Sequence, residues 1–172
     1  MNDEQKRIRS YLQAQAAKLT PAEIVEKVQG AMRELRAAAA LVPPDRFTQK
    51  PGPDDWSGNE VMAHVVAAGR YFGGAVVALS AGAPLPARLT GRGNENAPPR
   101  PAEEWLEIVE QDRAVLFARV LTADPQGHLD GTVEHPFFGP LNWRETLLFI
   151  RIHDLDHASQ LEKIAAALGA RA

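Results

Sequence analysis

Apolar residues recur at helical spacing in four long segments of the chain, and polar or proline-rich stretches separate these segments. The first segment begins at a capping box, in which Thr20 suits the N-cap, Pro21 the first helical position and Glu23 the partner position. The apolar spacing continues to about Leu41, and Pro43 cannot extend a helix because it has no amide hydrogen. The pattern therefore predicts a helix from residue 21 to about residue 41.

A second capping box opens the next predicted helix. Ser57 suits the N-cap, Glu60 is its partner, and the helical spacing extends through Leu79. Three glycines in the second half each weaken this helix by roughly 1 kcal/mol relative to alanine. The stretch that follows, residues 81–101, is rich in Gly, Pro and Asn, which predicts a long loop of the kind that is often functional or mobile.

Two further helices complete the pattern. One is predicted at about residues 101–121, and the other begins at Asn142, has Glu145 as its capping partner, and runs to about Leu168. Four long helices with connections of different length predict an all-α four-helix bundle. A length of 172 residues fits one domain, residues 1–172, whose core spans about residues 20–168.

Weaker patterns lie outside these four segments. The first 17 or so residues form either a short extra amphipathic helix at the N-terminus or a frayed segment, and Thr132 and Val133 suit a brief extended segment. The sequence has no alternating strand run and no internal repeat.

Composition narrows the class of protein. The net charge is −3 and no block of like charges occurs, so neither nucleic acid nor an anionic membrane surface is an expected partner. No apolar leader or transmembrane stretch is evident, which favours a cytoplasmic protein. The chain contains no cysteine, so any thiol chemistry needs a thiol from outside.

Three histidines are the candidate metal ligands. His153 and His157 are spaced i and i+4, which places both imidazoles on one face of the last helix, and His64 lies on the core-facing stripe of the second long helix. Each alone is more simply a core histidine bonded to a backbone carbonyl or a neighbouring side chain. Burying three imidazoles without a shared purpose carries desolvation costs, so together they favour one three-nitrogen metal site with open positions.

The order and spacing of several short motifs resemble the DinB/YfiT-like metalloprotein superfamily, over most of residues 20–168. The matching motifs begin with a Trp-Ser helix start that is followed, seven residues after the serine, by a histidine. A Gly-Pro-Leu turn, a polar cap, an Arg-Glu pair and an H-x-x-x-H helix with a later glutamine complete the pattern. These positions are Trp56-Ser57, His64, Gly139-Pro140-Leu141, Asn142, Arg144-Glu145, His153, His157 and Gln160.

The resemblance implies a four-helix bundle that holds a divalent transition metal, zinc or nickel, through His64, His153 and His157. Some relatives are thiol S-transferases or isomerases that use low-molecular-weight thiols such as bacillithiol or mycothiol, which makes a small-molecule substrate or thiol the expected partner. Ala158-Ser159 stands where relatives often carry Arg-Gly, a departure that bears on thiol recognition. The alternative is a noncatalytic metal-binding bundle that acts in stress response or through association, and a homodimer is left open.

A metalloprotease is a further alternative, because the segment from His153 to His157 differs from the zincin pattern H-E-x-x-H by Asp154 in place of glutamate. The shorter aspartate changes the reach to a metal-bound water, and the residues after His157 offer no separate helix for a third zincin ligand. Asp154 and Asp156 are expected to be solvated helix charges, with a supporting role at the metal as the alternative. Gln160 is expected to orient His157.

The remaining candidate functional residues have weaker support from the sequence. His135 is either a turn residue or a group that approaches the metal or substrate, and His128 is expected at the surface. Arg88 and Arg92 of the long loop are either solvated or grip an acidic substrate. The apolar aromatic residues of the second half are expected in the core or at an interface: Trp105, Phe137, Phe138 and Trp143.

Overall fold

The computed structural model describes residues 1–88 and 90–169 of the chain. Within these residues lie five α-helices and one two-stranded hairpin. The helices are α1 (Asp3–Lys18), α2 (Pro21–Leu41), α3 (Gly58–Ser80), α4 (Ala102–Val120) and α5 (Trp143–Gly169), and the strands are β1 (Val133–His135) and β2 (Gly139–Leu141). The all-α prediction is confirmed, and the extra N-terminal helix is formed. The parts of the domain prediction that concern Leu89 and residues 170–172 lie outside the described residues.

Local capping sets the starts of the long helices, as the sequence predicts. Both hydrogen bonds of the capping box are present at Thr20 and at Ser57. At the third cap, the side chain of Asn142 accepts from the amide of Glu145, and the Glu145 carboxylate accepts from the amide of Asn142. Each cap satisfies amide groups that the first helical turn leaves without partners.

The bundle is organised around α5 and α3. Helix α5 packs against α2, α3 and α1, and α3 packs against α4 as well. Two groups of buried apolar side chains fill the space between the helices, one towards each end of the bundle. Because α3 and α5 are direct neighbours, the histidine stripes that the sequence places on these two helices face each other.

Helix α3 is the one described helix that is long and apolar enough to cross a membrane, with a mean hydropathy of 1.4 in its most apolar window. This differs from the expectation that no stretch of the chain resembles a membrane span. However, 56% of that window is buried inside the bundle, and the core helix of a soluble protein has the same length and composition. We therefore attribute the hydropathy of α3 to its central position.

The hairpin is an element that the sequence anticipates only in part. Strands β1 and β2 are antiparallel, with Val133 opposite Leu141 and His135 opposite Gly139. Gly139 has a φ of +71°, a conformation that glycine adopts without strain. The brief extended segment expected at Thr132 and Val133 is thus one strand of a pair, and the hairpin leads directly into α5.

Candidate metal centre

The three predicted histidines meet between α3 and α5. The Nε2 atom of His153 lies 3.1 Å from Nε2 of His64 and 3.2 Å from Nε2 of His157. One nitrogen from each ring lies within 4.8 Å of the corresponding nitrogens of the other two. Three imidazoles from two helices therefore present the same ring atom to one point.

Hydrogen bonds on the far side of two rings fix which nitrogen carries the proton. The Nδ1 atom of His64 lies 2.5 Å from the backbone carbonyl of Arg92, and Nδ1 of His157 lies 2.8 Å from the side-chain oxygen of Gln160. Because both oxygens can only accept, each Nδ1 must carry the hydrogen and donate it. The Nε2 atoms of these two rings consequently turn their lone pairs towards the cluster, and Gln160 orients His157 in the way the sequence predicts.

Burial favours the uncharged form of His64 and His157. Burial, with a smaller contribution from the nearby His153, lowers the pKa of His157 to about 3, and the bond to Gln160 opposes this shift. Burial also lowers the pKa of His64, against the opposing effect of the Arg92 carbonyl. A neutral imidazole with a free lone pair is the form that binds metal.

The donor set fits a divalent metal. Nitrogens that share one zinc-like ion at roughly 2.0–2.1 Å lie roughly 2.9–3.4 Å apart for angles between octahedral and tetrahedral. The observed spacings of 3.1 and 3.2 Å fall inside this range. Imidazole suits zinc, nickel, copper and iron, so the residues fit the group of ions but do not select one.

Aromatic side chains enclose the cluster. Trp56 meets the ring of His64 edge-on at 5.2 Å and stacks near the ring of His157 at 6.4 Å, and Phe149 lies 5.6 Å from the ring of His153. The Trp56 and Phe149 rings thus line the site beside the three imidazoles. The sequence reading placed Trp56 only at the start of a helix, and the i−8 spacing of Trp56 from His64 gives no direct sign of this contact.

The loop of residues 81–101 borders the site through Arg92, and its two candidate arginines, Arg88 and Arg92, are exposed, in line with the solvated alternative. Arg92 contacts His64 through its backbone carbonyl, while its guanidinium lies 5.8 Å above the Trp56 ring. Arg88 lines a separate cavity of about 700 Å³ between α3, α4 and this loop, together with Arg70, Tyr71 and Trp105. The clustered histidines do not line that cavity.

Asp154 is buried, so the expectation that it is solvated is wrong. Its side chain is fully buried and accepts from the guanidinium of Arg113 at 3.1 and 3.2 Å, and this arginine is itself 3% exposed. Arg113 can reach Asp154 because Gly69 has no side chain, since a Cβ there would lie 3.1 Å from the guanidinium. Asp156 is exposed, as expected.

The pairing of Asp154 also bears on the metalloprotease alternative. In the zincin pattern the residue after the first histidine acts as a general base. Here that position belongs to a carboxylate held by Arg113, and its oxygen lies 3.9 Å from Nδ1 of His153, on the side of the ring opposite the cluster. The geometry does not favour the metalloprotease reading.

His135 is buried at the end of β1 and is not part of the cluster. Its ring stacks on Phe138 at 4.6 Å and packs against Phe149 at 4.3 Å, and its Nδ1 accepts hydrogen bonds from the amides of Phe137 and Phe138. Burial lowers its pKa to about 4. It is therefore a structural turn residue whose ring adjoins the aromatic wall of the site.

The surface predictions have mixed outcomes. His128 is exposed, as predicted, whereas Phe137 is 60% exposed, so a core position is wrong for this residue and the interface alternative stays a prediction. Phe138, Trp105 and Trp143 are buried as predicted.

Comparison with known proteins agrees with this architecture. The family model described as the DinB superfamily matches residues 27–161. TT2238, described as a four-helix bundle protein, superposes with a TM-score of 0.62 and 24% identity, over 84% of this chain and 99% of that one. A mutant of the mycothiol-dependent maleylpyruvate isomerase superposes with a TM-score of 0.68 and 13% identity, over 85% of this chain and 62% of that one. No curated protein sequence matches.

Proposed function

Because the chain belongs to the DinB superfamily, we propose that it is a metal-dependent enzyme of the thiol S-transferase or isomerase type, with His64, His153 and His157 as the metal ligands. The observation that carries this proposal is the convergence of three Nε2 atoms, two of which are held as acceptors by hydrogen bonds at Nδ1. The fold shared with a mycothiol-dependent isomerase supports the thiol class, although 13% identity shows the fold alone.

The donor set favours a site that activates an external ligand. A divalent ion held by three neutral imidazoles would keep its full charge and stabilise a bound thiolate over the thiol near neutral pH. The chain has no cysteine, so the thiol must come from solution. Zinc and nickel are the proposed ions, and a low-molecular-weight thiol is the proposed cosubstrate.

The surrounding residues favour thiol chemistry over hydrolysis. Two of the ligand rings already donate their Nδ1 hydrogens to fixed acceptors, so neither ring is free to accept a proton there. Asp154 is engaged by Arg113. Among the described residues, the cluster of potential ligands contains only histidines and no carboxylate. A nucleophile that loses its own proton readily, as a thiol does, suits such a site better than a water that needs a base.

Trp56 and Phe149 have a separate role in the proposed reaction. Their rings cover two sides of the cluster, which lowers the local dielectric and strengthens electrostatic interactions with a bound anion. The side chain of His153 remains 14% exposed, so the cluster is not sealed from solvent. The proposed small-molecule partner would approach on this open side.

The test begins with metal analysis of the untagged protein. The cobalt-loaded protein is then titrated with mycothiol, bacillithiol and glutathione, and thiolate-to-metal charge-transfer absorption in the near ultraviolet is recorded. We expect the absorption with at least one thiol and none with the His64→Ala variant. A thiol that binds is next assayed for conjugation to an electrophile. Stoichiometric metal without charge transfer for any thiol would favour the noncatalytic metal-binding bundle.

A further inference from the structure

The loop beside the cluster presses its backbone against α3 at the level of His64. We call residues 91–98 the strap. A Cβ added at Gly93 would overlap the Cβ of Ala67 on α3, so only glycine allows this approach, and Gly93 also has a φ of +78°. The neighbouring Arg92 carbonyl accepts from Nδ1 of His64. The strap is therefore in direct backbone contact with the ligand helix.

One carboxylate holds the strap in this conformation. Glu95 accepts from the amide of Arg92 at 2.9 Å and from the amide of Gly93 at 2.8 Å. These bonds, chiefly the one from Arg92, lower the pKa of Glu95, so the side chain is ionised at neutral pH. A carboxylate that binds two successive amides makes charge-assisted bonds, which are stronger than neutral ones.

The amide of Gly93 and the carbonyl of Arg92 belong to the same peptide group. Its N–H donates to the Glu95 carboxylate, and its C=O accepts from the His64 imidazole. In a trans peptide these two groups point in opposite directions, so the peptide group lies between the Glu95 carboxylate and the His64 ring and is bonded to both. Hydrogen bonds in such a chain polarise one another, and the negative charge at one end strengthens the acceptor at the other.

We propose that Glu95 is a positioning residue of the metal site, which orients and polarises His64 through the peptide group between Arg92 and Gly93. The arrangement extends the carboxylate–histidine–metal relay of many metal sites by one peptide bond. It differs from the support of His157, where the neutral amide of Gln160 contacts the ring directly. The proposal rests on the proposed function in one respect, namely that His64 binds a metal.

Asn59 anchors the far end of the strap, independently of the peptide that Glu95 holds. Asn59, which is 5% exposed, donates to the carbonyl of Pro98 at 3.2 Å, and its oxygen accepts from the indole of Trp105 at 2.9 Å. Asn59 therefore ties the strap to α3 and α4 without touching the cluster. Loss of the Glu95 carboxylate is expected to free the peptide while the strap stays attached.

The test uses Glu95→Gln, which keeps the size of the side chain but removes its charge. Because outer-shell partners are worth roughly 10- to 100-fold in metal affinity when they contact the ligand directly, we expect a loss of about 3- to 30-fold through one peptide bond. Zinc binding is measured by calorimetric titration of the metal-free protein. Glu103→Gln is the matched control, since Glu103 is an exposed carboxylate paired with Arg36 on α2.

A second measurement separates positioning from mere loss of structure. Long-range proton–nitrogen spectra of the metal-free protein report which His64 nitrogen carries the hydrogen. We expect Nδ1–H in the parent and a mixture of both forms in Glu95→Gln, with the thermal unfolding temperature unchanged. The control variant Glu103→Gln should keep the parent spectrum.

The outcomes distinguish this proposal from the proposed function. Failure of the parent to bind any divalent metal would defeat the proposed function. The His64 spectra of the metal-free protein would still show whether Glu95 determines which nitrogen of that ring carries the hydrogen. Parent-like zinc affinity of Glu95→Gln, or an unchanged His64 spectrum in that variant, would overturn the role of Glu95.

Discussion

His157 of the cluster and His135 of the hairpin have similar environments and opposite orientations. His157 is 7% exposed and His135 is 4% exposed, and burial lowers the pKa of both rings. In His157, Nδ1 donates to an oxygen and leaves Nε2 as the acceptor. In His135, Nδ1 accepts from two amides, so Nε2 carries the hydrogen in the neutral ring.

This comparison shows that burial does not make a histidine a metal ligand. In His64 and His157 the partner of the ring nitrogen on the far side selects the tautomer and so the direction of the lone pair. When an oxygen accepts the hydrogen of Nδ1, Nε2 keeps a free lone pair that can bind a metal. When a backbone N–H donates to Nδ1, the neutral ring carries its hydrogen on Nε2, which then cannot bind a metal. The predictions below address this difference, from the largest expected effect to the smallest.

Removal of one clustered ring is expected to have the largest effect. His64→Ala, His153→Ala and His157→Ala should each weaken zinc binding by about 100-fold or more, because a three-nitrogen site loses a direct ligand. Elemental analysis and calorimetry of the purified variants measure this. His128→Asn is the control, since asparagine tolerates the positive φ of 56° at this exposed position. Parent affinity in His64→Ala would show that the three-histidine site is wrong.

Acid should empty the same site. Protons and metal compete for the Nε2 lone pairs, and metal binding keeps each imidazole deprotonated. Since burial already lowers the pKa of His64 and brings that of His157 to about 3, half-occupancy is expected below pH 6.5, the ordinary pKa of histidine. Equilibrium dialysis between pH 7.5 and 4, followed by metal analysis, gives the midpoint. A midpoint above 6.5 would contradict the competition described here.

Removal of the direct partner of His157 should have a smaller effect. Gln160→Leu leaves the Nδ1 hydrogen of His157 without its acceptor, and such changes cost roughly 10- to 100-fold in metal affinity. Calorimetric titration with zinc measures the loss. Gln111→Leu, at an exposed position of α4, is the matched control. Equal affinities of the two variants would mean that Gln160 does not orient the ring.

His135→Phe should leave metal affinity unchanged and alter acid stability. The phenyl ring suits the aromatic packing but accepts nothing from the amides of Phe137 and Phe138, so we expect the free energy of unfolding at pH 7.5 to fall by about 1–3 kcal/mol. The folded-state pKa of His135, about 4, lies below its ordinary value of 6.5. The unfolded chain therefore binds more protons in this window, and the parent loses stability as pH falls from 6.5 to 4.

The variant lacks this contribution, so its stability deficit should shrink over the same window. Denaturant unfolding of both metal-free proteins at pH 7.5, 5.5 and 4.5 compares them under equal conditions, and the titration of His157 affects both alike. A deficit that stays constant with pH would argue against a buried neutral His135.

Most of the fold follows from local signals. The caps at Thr20, Ser57 and Asn142 each involve residues three positions apart, so the sequence contains all the information that sets the helix starts. The spacing of His153 and His157 is local in the same way. The sequence indicates the hairpin only in part, since its two strands of three residues each are too short to show an alternating pattern.

The sequence by itself thus determined the helices, the bundle and the three rings that face one another. Only the tertiary structure decided what supports those rings. The Arg92 carbonyl is 28 positions from His64, and Arg113 is 41 positions from Asp154. Such partners meet only after the helices pack, and no local pattern records which way a strap peptide or an imidazole then turns. Every residue type has the same backbone carbonyl. The residue type at position 92 therefore does not reveal that its carbonyl contacts His64.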